Sequence, residues 1–214
     1  MQKYLTVFEK CAFEFVEKKS RFTGTLFHAE SIEEAQEILA AVKKEFWDAT
    51  HNCSAFIIGE TKNVMRFSDD GEPQGTAGMP MLEALKQSGL TDVLCIATRY
   101  FGGVLLGAGG LVRAYTKCVA GAVAKAKQDG LFCELVPSYV YRVVLPYSQY
   151  GKLENLAASG LFKKEDALFE DNVTAFLSIP QEKEQTFLKE MSEAFLGSVT
   201  PERTEEKYIK NYLK

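Results

Sequence analysis

Nothing in this sequence looks like a leader or a membrane span. The opening residues MQKYLTVFEK contain no apolar run and no small-residue cleavage site, so no signal peptide is expected. The longest nearly uncharged stretch, Gly102–Val112, is rich in glycine and too short to cross a bilayer, which takes about 20 apolar residues. A cytoplasmic protein with no membrane partner is the expectation. Cysteine is scarce and unpaired: the five are Cys11, Cys53, Cys95, Cys118 and Cys133, and no two form a C-x-x-C pair. An odd number at such spacings excludes a disulfide framework and a closed zinc site, so no metal is expected. Cys95 lies in the apolar run VLCIA and Cys118 in a helical stretch, so both read as small buried hydrophobes. Internal repeats and low-complexity tracts are absent as well.

Acidic residues are missing from one long interval. The chain has a net charge of −4, which argues against indiscriminate nucleic-acid binding. Yet no Asp or Glu occurs from 93 to 128, where Arg99, Arg113, Lys117, Lys125 and Lys127 fall. A locally basic face in an acidic protein suits an anion; a solvated helix face is the bland alternative.

What is present is a mixed α+β pattern in two parts. The chain has 214 residues with 46% apolar content, enough for two modest cores. Residues 12–28 read as a hairpin turning near Lys18–Ser20. Ser31 opens a helix, with Glu34 placed to complete a capping box. Cys53–Ile58 and Val64–Phe67 read as strands, Pro80–Gln87 as a helix, Val93–Ala97 as a strand buried on both faces, and Leu111–Lys127 as a long helix. Beyond Pro137 come a strand at Tyr139–Leu145, a helix at Ser148–Ser159, a hairpin around Glu170–Asn172, a helix at Gln181–Phe195 and a strand near Thr204–Ile209. That order, β-α-β-β-α-β, predicts a ferredoxin-like domain. The expected domains are therefore 1–134 and 135–214.

Three segments carry the chemical information: ATHNCSAF at 49–56, SDDGEPQGTAGMPM at 68–81, and TRYFGGVLLGAGGLVRAYT at 98–116. Gly102, Gly103, Gly107, Gly109 and Gly110 lie between a buried strand and a helix. Glycine there permits positive φ and close approach, and the free N–H groups at the helix start suit a phosphate or carboxylate. Arg99 and Arg113 flank this connection and suit bidentate phosphate contacts. No G-K-[ST] follows, so the loop is not a Walker A motif, and the dinucleotide spacing is absent too. Asp69, Asp70 and Glu72 suit either a hard cation such as magnesium or capping and pairing with Arg99 or Arg113. The second reading is favoured, because an all-protein magnesium cage is unusual. Thr76 reads as a helix cap rather than a nucleophile. His51 and Cys53 would point to one face of a strand. Without a third triad member, His51 reads as a hydrogen-bonding residue. No catalytic residue and no cofactor are assigned. His51, Asp69, Glu72, Arg99 and Arg113 are expected to converge on one concave site, since such charges are costly to bury unpaired.

The runs SDDGEPQGTAG and TRYFGGVLLGAGGLVRAY, with EKKSRF at 17–22 and ATHNC at 49–53, resemble the signature of the YigZ/IMPACT family. The resemblance covers the first 130 residues or so; the remainder resembles the smaller second domain of bacterial members in length and pattern. It implies an N-terminal β-α domain of the type seen in a small-subunit ribosomal protein and in the fourth domain of elongation factor G, and a C-terminal domain like the last domain of that factor. Eukaryotic relatives act in translational control by binding a partner of a stress-responsive kinase. The leading expectation is a non-enzymatic protein bound to RNA or to a ribosome-linked surface. The alternatives are an enzyme acting on a phosphorylated small molecule and a purely protein-binding regulator.

Overall fold

A computed structural model describes residues 1–213. It divides the chain into two units, one holding 2–134 with the C-terminal residues from Asn211 onward, the other holding 135–210.

The N-terminal unit is built on a five-stranded sheet. Its strands are β2 (Cys11–Glu17), β3 (Ser20–His28), β4 (His51–Ile58), β5 (Val64–Ser68) and β6 (Val93–Tyr100), in the order β2-β3-β6-β4-β5 and antiparallel throughout. A short strand β1, Tyr4–Val7, precedes them. Three helices cover the sheet: α1 (Ile32–Glu45), α2 (Gly78–Ser88) and α3 (Ala108–Gln128).

The sheet is buried on both faces, and period-two alternation assigns each side chain to its layer. On β6, Val93, Cys95 and Ala97 join the cluster formed with α2 and α3, which includes Met81, Leu85, Tyr115 and Cys118. Leu94 and Ile96 join the opposite cluster under α1, with Ala35, Val42, Phe56 and Ile58. This is the doubly buried strand that VLCIA predicts. Continuing the odd series puts Arg99 on the α2/α3 face, and on β4 the series Cys53, Ala55 and Ile57 puts His51 there too.

Local signals set the element ends. The Ser31 side chain accepts from the Glu34 N–H at 3.1 Å and caps α1, while Glu34 accepts from Glu30 N–H at 2.8 Å, one residue short of a closed capping box. The hairpin turns at Lys18 and Lys19, both at positive φ. Helix α3 starts three residues before the expected Leu111, because Gly107 takes φ +74 and its carbonyl accepts from Leu111 N–H. Gly109 and Gly110 therefore sit in the first helical turn rather than in a loop.

The second unit contains most of β7 (Phe132–Leu145), then α4 (Tyr147–Ala158), β8 (Lys163–Phe169), β9 (Val173–Pro180), α5 (Glu184–Phe195) and most of β10 (Glu202–Tyr212). β7 pairs β9, β9 pairs β8, and β10 pairs β7. That is the ferredoxin-like order. Its core gathers Val143, Leu145, Leu153, Phe187, Met191 and Phe195. No helix among the described residues is long and apolar enough to cross a membrane.

Candidate functional site

One row of side chains runs across four strands at the end of the N-terminal sheet. Phe15 opposes Phe22, Phe22 opposes Arg99, and Arg99 opposes His51. Opposed residues on a sheet are in side-chain contact. Phe15 and Phe22 stack at 5.3 Å between centroids, the Arg99 guanidinium lies 5.3 Å from the Phe22 ring, and Tyr115 of α3 meets Phe22 edge-on at 5.5 Å.

The loop between β5 and α2 closes over the row. Glu72 is buried beside it, with Oε1 2.5 Å from Arg99 Nη1 and 2.7 Å from the Tyr115 hydroxyl, which donates to it. Arg99 is only 4% exposed. Its Nη2 donates to Ser20 Oγ at 3.3 Å, and its buried Nε has no hydrogen-bond partner. Burial, and then the neighbouring Cys53 and Glu72, push the Tyr115 hydroxyl far above its ordinary pKa. Burial is also the main reason the Cys53 thiol is pushed up to about 12.

The same loop is tied down by its two aspartates. Asp69 accepts from the backbone N–H groups of Gly75, Ala77 and Gly78 at 2.9, 3.1 and 2.8 Å. Burial alone would raise this carboxyl, but those three donors outweigh it and hold its pKa below the usual range. Asp70 behaves likewise: burial raises it, while Lys43 at 2.5 Å and the Asn52 N–H at 2.6 Å bring it down. The Asp70 carbonyl accepts from His51 Nδ1 at 2.9 Å. A carbonyl can only accept, so Nδ1 carries a proton, and in the neutral imidazole Nε2 is then the lone-pair nitrogen.

Above this floor is a cleft of about 390 Å³, within the size range of small-ligand sites. It is lined by His51, Glu72 and Arg99 below, and by Phe101, Leu105 and Gly107 around the mouth. Phe101 is 44% exposed and Leu105 81%. The first turn of α3 carries no acidic residue and no side-chain cap. Beside it lies a cavity of about 250 Å³ lined by Lys18, Gly110, Arg113 and Lys117, and Leu106 lines both.

Some expected site residues meet and others do not. His51, Glu72 and Arg99 share the cleft, with Asp69 and Asp70 in the loop that forms its edge. Arg113 does not join them. It is exposed on α3 and faces the second cavity. Arg99 is turned inward to Glu72 and Ser20 instead of standing out at the surface; the odd-numbered face of β6 dictates this. Thr76 does not cap α2: its hydroxyl donates back to the Pro73 carbonyl at 2.6 Å, and Asp69 takes the capping role. The three carboxylates are committed to backbone, Lys43 and Arg99 instead of clustering around a cation. Gly102 is needed for contact rather than for a ligand, since a Cβ there would come within 2.0 Å of the Lys19 carbonyl. Gly103 takes φ +82 in the same connection. Tyr115 and Ser20 are partners that the sequence did not expose, one hidden in an apolar helix stripe and the other in a turn.

The chain thus has an N-terminal domain of a recognisable kind. Residues 18–123 match the Impact N-terminal domain, and residues 143–198 match a domain of unknown function, DUF1949. The IMPACT family member YvyE of Bacillus subtilis (strain 168) is 37% identical over 100% of this chain and 98% of its own length. YigZ of Escherichia coli (strain K12) is 34% identical, over 85% of this chain and 88% of that protein. A crystal structure described as that of a hypothetical protein aligns with a TM-score of 0.62 at 32% identity, covering 96% of this chain and 98% of the other. The chain belongs to the IMPACT family.

Proposed function

We propose that this chain is a binding protein for RNA or an RNA-bearing, ribosome-linked surface, acting in the regulation of translation, and that the N-terminal cleft is its contact site. The observation that carries this reading is the pairing of an exposed aromatic with a basic border. Phe101 stands at the mouth of the cleft, and the cavity beside it presents Lys18, Arg113 and Lys117 against one carboxylate, Glu17. A flat ring offers a stacking platform to any base, and lysines and arginines track the phosphates. The uncapped, acid-free start of α3 adds free N–H groups of the same polarity. Phosphate contacts are assigned to Arg113 and Lys117 rather than to Arg99, which is already paired.

The test is equilibrium binding of single-stranded RNA across a salt series. Each phosphate contact contributes about 0.7 to the slope of log affinity against log salt for single strands. Arg113→Ala with Lys117→Ala should lower that slope by about 1.4 in total, and Phe101→Ala should weaken binding by about 1–3 kcal/mol at every salt concentration. No binding at low salt, or an unchanged slope in the double variant, refutes the proposal.

A second reading, an enzyme acting on a phosphorylated small molecule, draws on the lone-pair nitrogen of His51 at the cleft floor. Nucleotides at about 100 times their dissociation constant would then stabilise the fold by about 2.7 kcal/mol, and a turnover assay would show product. Stabilisation without turnover leaves binding as the function.

A further inference from the structure

The floor of the cleft differs in chemistry from its border. Arg99 and Tyr115 direct hydrogen bonds inward there. Arg99 Nη1 goes to Glu72, Nη2 to Ser20, and Nε is buried out of reach; the Tyr115 hydroxyl donates to Glu72. Beside them stand two acceptors. His51 Nε2 is 3.8 Å from Glu72 Oε1, too long for a hydrogen bond, and its tautomer is fixed by Nδ1–H donating to the Asp70 carbonyl. Glu72 Oε1 is filled, and Oε2 takes no partner among the described residues. Both side chains line the cleft.

Two acceptors without partners call for a group that donates two hydrogen bonds, which a phosphate does not do. A cation is disfavoured, because Arg99 already sits on Glu72 and the neighbouring cavity brings Lys18, Arg113 and Lys117. A neutral pair of hydroxyls fits. Carboxylate recognition of ribose hydroxyls is a general device, and the 2′-OH is what separates RNA from DNA at a protein site.

We infer that His51 Nε2 and Glu72 Oε2 accept hydrogen bonds from the 2′- and 3′-hydroxyls of a terminal ribose, so that the cleft selects a free ribonucleotide end. The base then reaches Phe101 and the 5′-phosphate side runs toward Arg113 and Lys117. This deepens the RNA-binding reading and rests on it for the source of the ribose; a free nucleoside offers the same diol. The site is one of recognition, and no bond is made or broken.

The experiment compares one short single-stranded RNA carrying three different 3′ ends: the free diol, a 2′,3′-dideoxy end and a 3′-phosphate. Adenosine and 2′,3′-dideoxyadenosine are the competitors. The diol end should bind about tenfold or more tighter than either blocked end, since a missing hydroxyl strands a partly buried acceptor. Adenosine should compete and dideoxyadenosine should not. His51→Phe, which keeps a ring of similar size, should erase the end preference and leave the salt slope intact. The end series uses the unaltered chain, so the test holds even where a variant fails to fold. Equal affinity for all three ends overturns the inference and leaves RNA binding standing. Adenosine binding without RNA binding overturns the RNA reading and keeps the diol site. Binding of neither overturns both.

Discussion

Arg99 and His51 face each other across β6 and β4, and one oxygen of Glu72 lies between them, 2.5 Å from Arg99 Nη1 and 3.8 Å from His51 Nε2. Glu72 therefore serves two purposes. Its Oε1 satisfies a buried guanidinium, and its remaining oxygen is left for the cleft. The strand register supplies one pair of groups and the loop supplies the third, so the arrangement exists only when β4, β6 and the 69–72 loop are all in place.

Breaking this pair from one side should be costly. Glu72→Leu leaves Arg99 buried without its partner and is expected to lower stability by about 3–5 kcal/mol in urea unfolding. Arg99→Met should do likewise. The double variant Glu72→Leu/Arg99→Met should recover most of that loss, because apolar replacement of a whole buried pair is often near neutral. Additive losses in the double variant would show that the two groups are not coupled.

Acid should loosen the loop before the rest of the domain. Asp69 and Asp70 have native pKa values below the unfolded value of about 3.9. Their contribution is complete above that value and fades as pH drops through the lower native ones. Asp69→Ala is expected to destabilise the fold by about 1–2 kcal/mol at neutral pH, as the loss of a strong helix cap does. It should also flatten the acid limb of the urea midpoint measured against pH. An unchanged limb would mean that Asp69 titrates alike in both states.

Adjacent glycines should respond differently to alanine. Gly102→Ala puts a Cβ within 2.0 Å of the Lys19 backbone carbonyl, so the hairpin turn or the connection must move. Gly103→Ala meets no neighbour and suffers only from φ +82, which costs about 1–2 kcal/mol. Thermal denaturation should rank Gly102→Ala clearly below Gly103→Ala; the reverse order would argue against the close contact.

All five cysteines are buried. Burial pushes Cys53 and Cys95 up to about 12. Only the thiolate reacts, so thiol reagents near pH 8 should leave the native chain almost unlabelled and titrate five thiols after unfolding. Rapid labelling of Cys53 in the native state would show that the 69–72 loop opens readily.

Much of the fold was legible because its signals are local or periodic. VLCIA marked a strand buried on both faces, Ser31 marked a helix start, and the order of elements after Pro137 marked the ferredoxin-like unit. Boundaries drifted where glycine, proline or a turn intervened, as at Gly107 and at the single turn of 3-10 helix, Gln181–Lys183, before α5. Strand β1 was missed, since a four-residue strand has too little periodicity to stand out. The site was only half legible. Alternation along β6 and β4 already implies that Arg99 and His51 share a face with the core, and this argues for pairing over phosphate contact. That Glu72, rather than Asp69 or Asp70, is the partner depends on a loop path with Asp70 at φ +43 and Gly71 at φ +85, which no spacing rule predicts. Arg113 was misplaced because its position on α3 puts it in the neighbouring cavity with Lys117 instead of in the cleft with His51.

Strand β6 has apolar side chains on both faces, so hydrophobicity alone says little about which residues should face which helix layer. Sliding it by one position along β4 would exchange Cys95 and Ala97 for Leu94 and Ile96 and keep both layers greasy. The polar end of the strand is less forgiving. In the slipped arrangement Arg99 would point under α1, away from Glu72 and Tyr115, and Thr98 would lose Asn52 Oδ1, now 2.8 Å away. The ion pair at the cleft floor thus doubles as an alignment key: it gives a strand that would otherwise tolerate two phases a single one, and it ties correct assembly of the sheet to completion of the site.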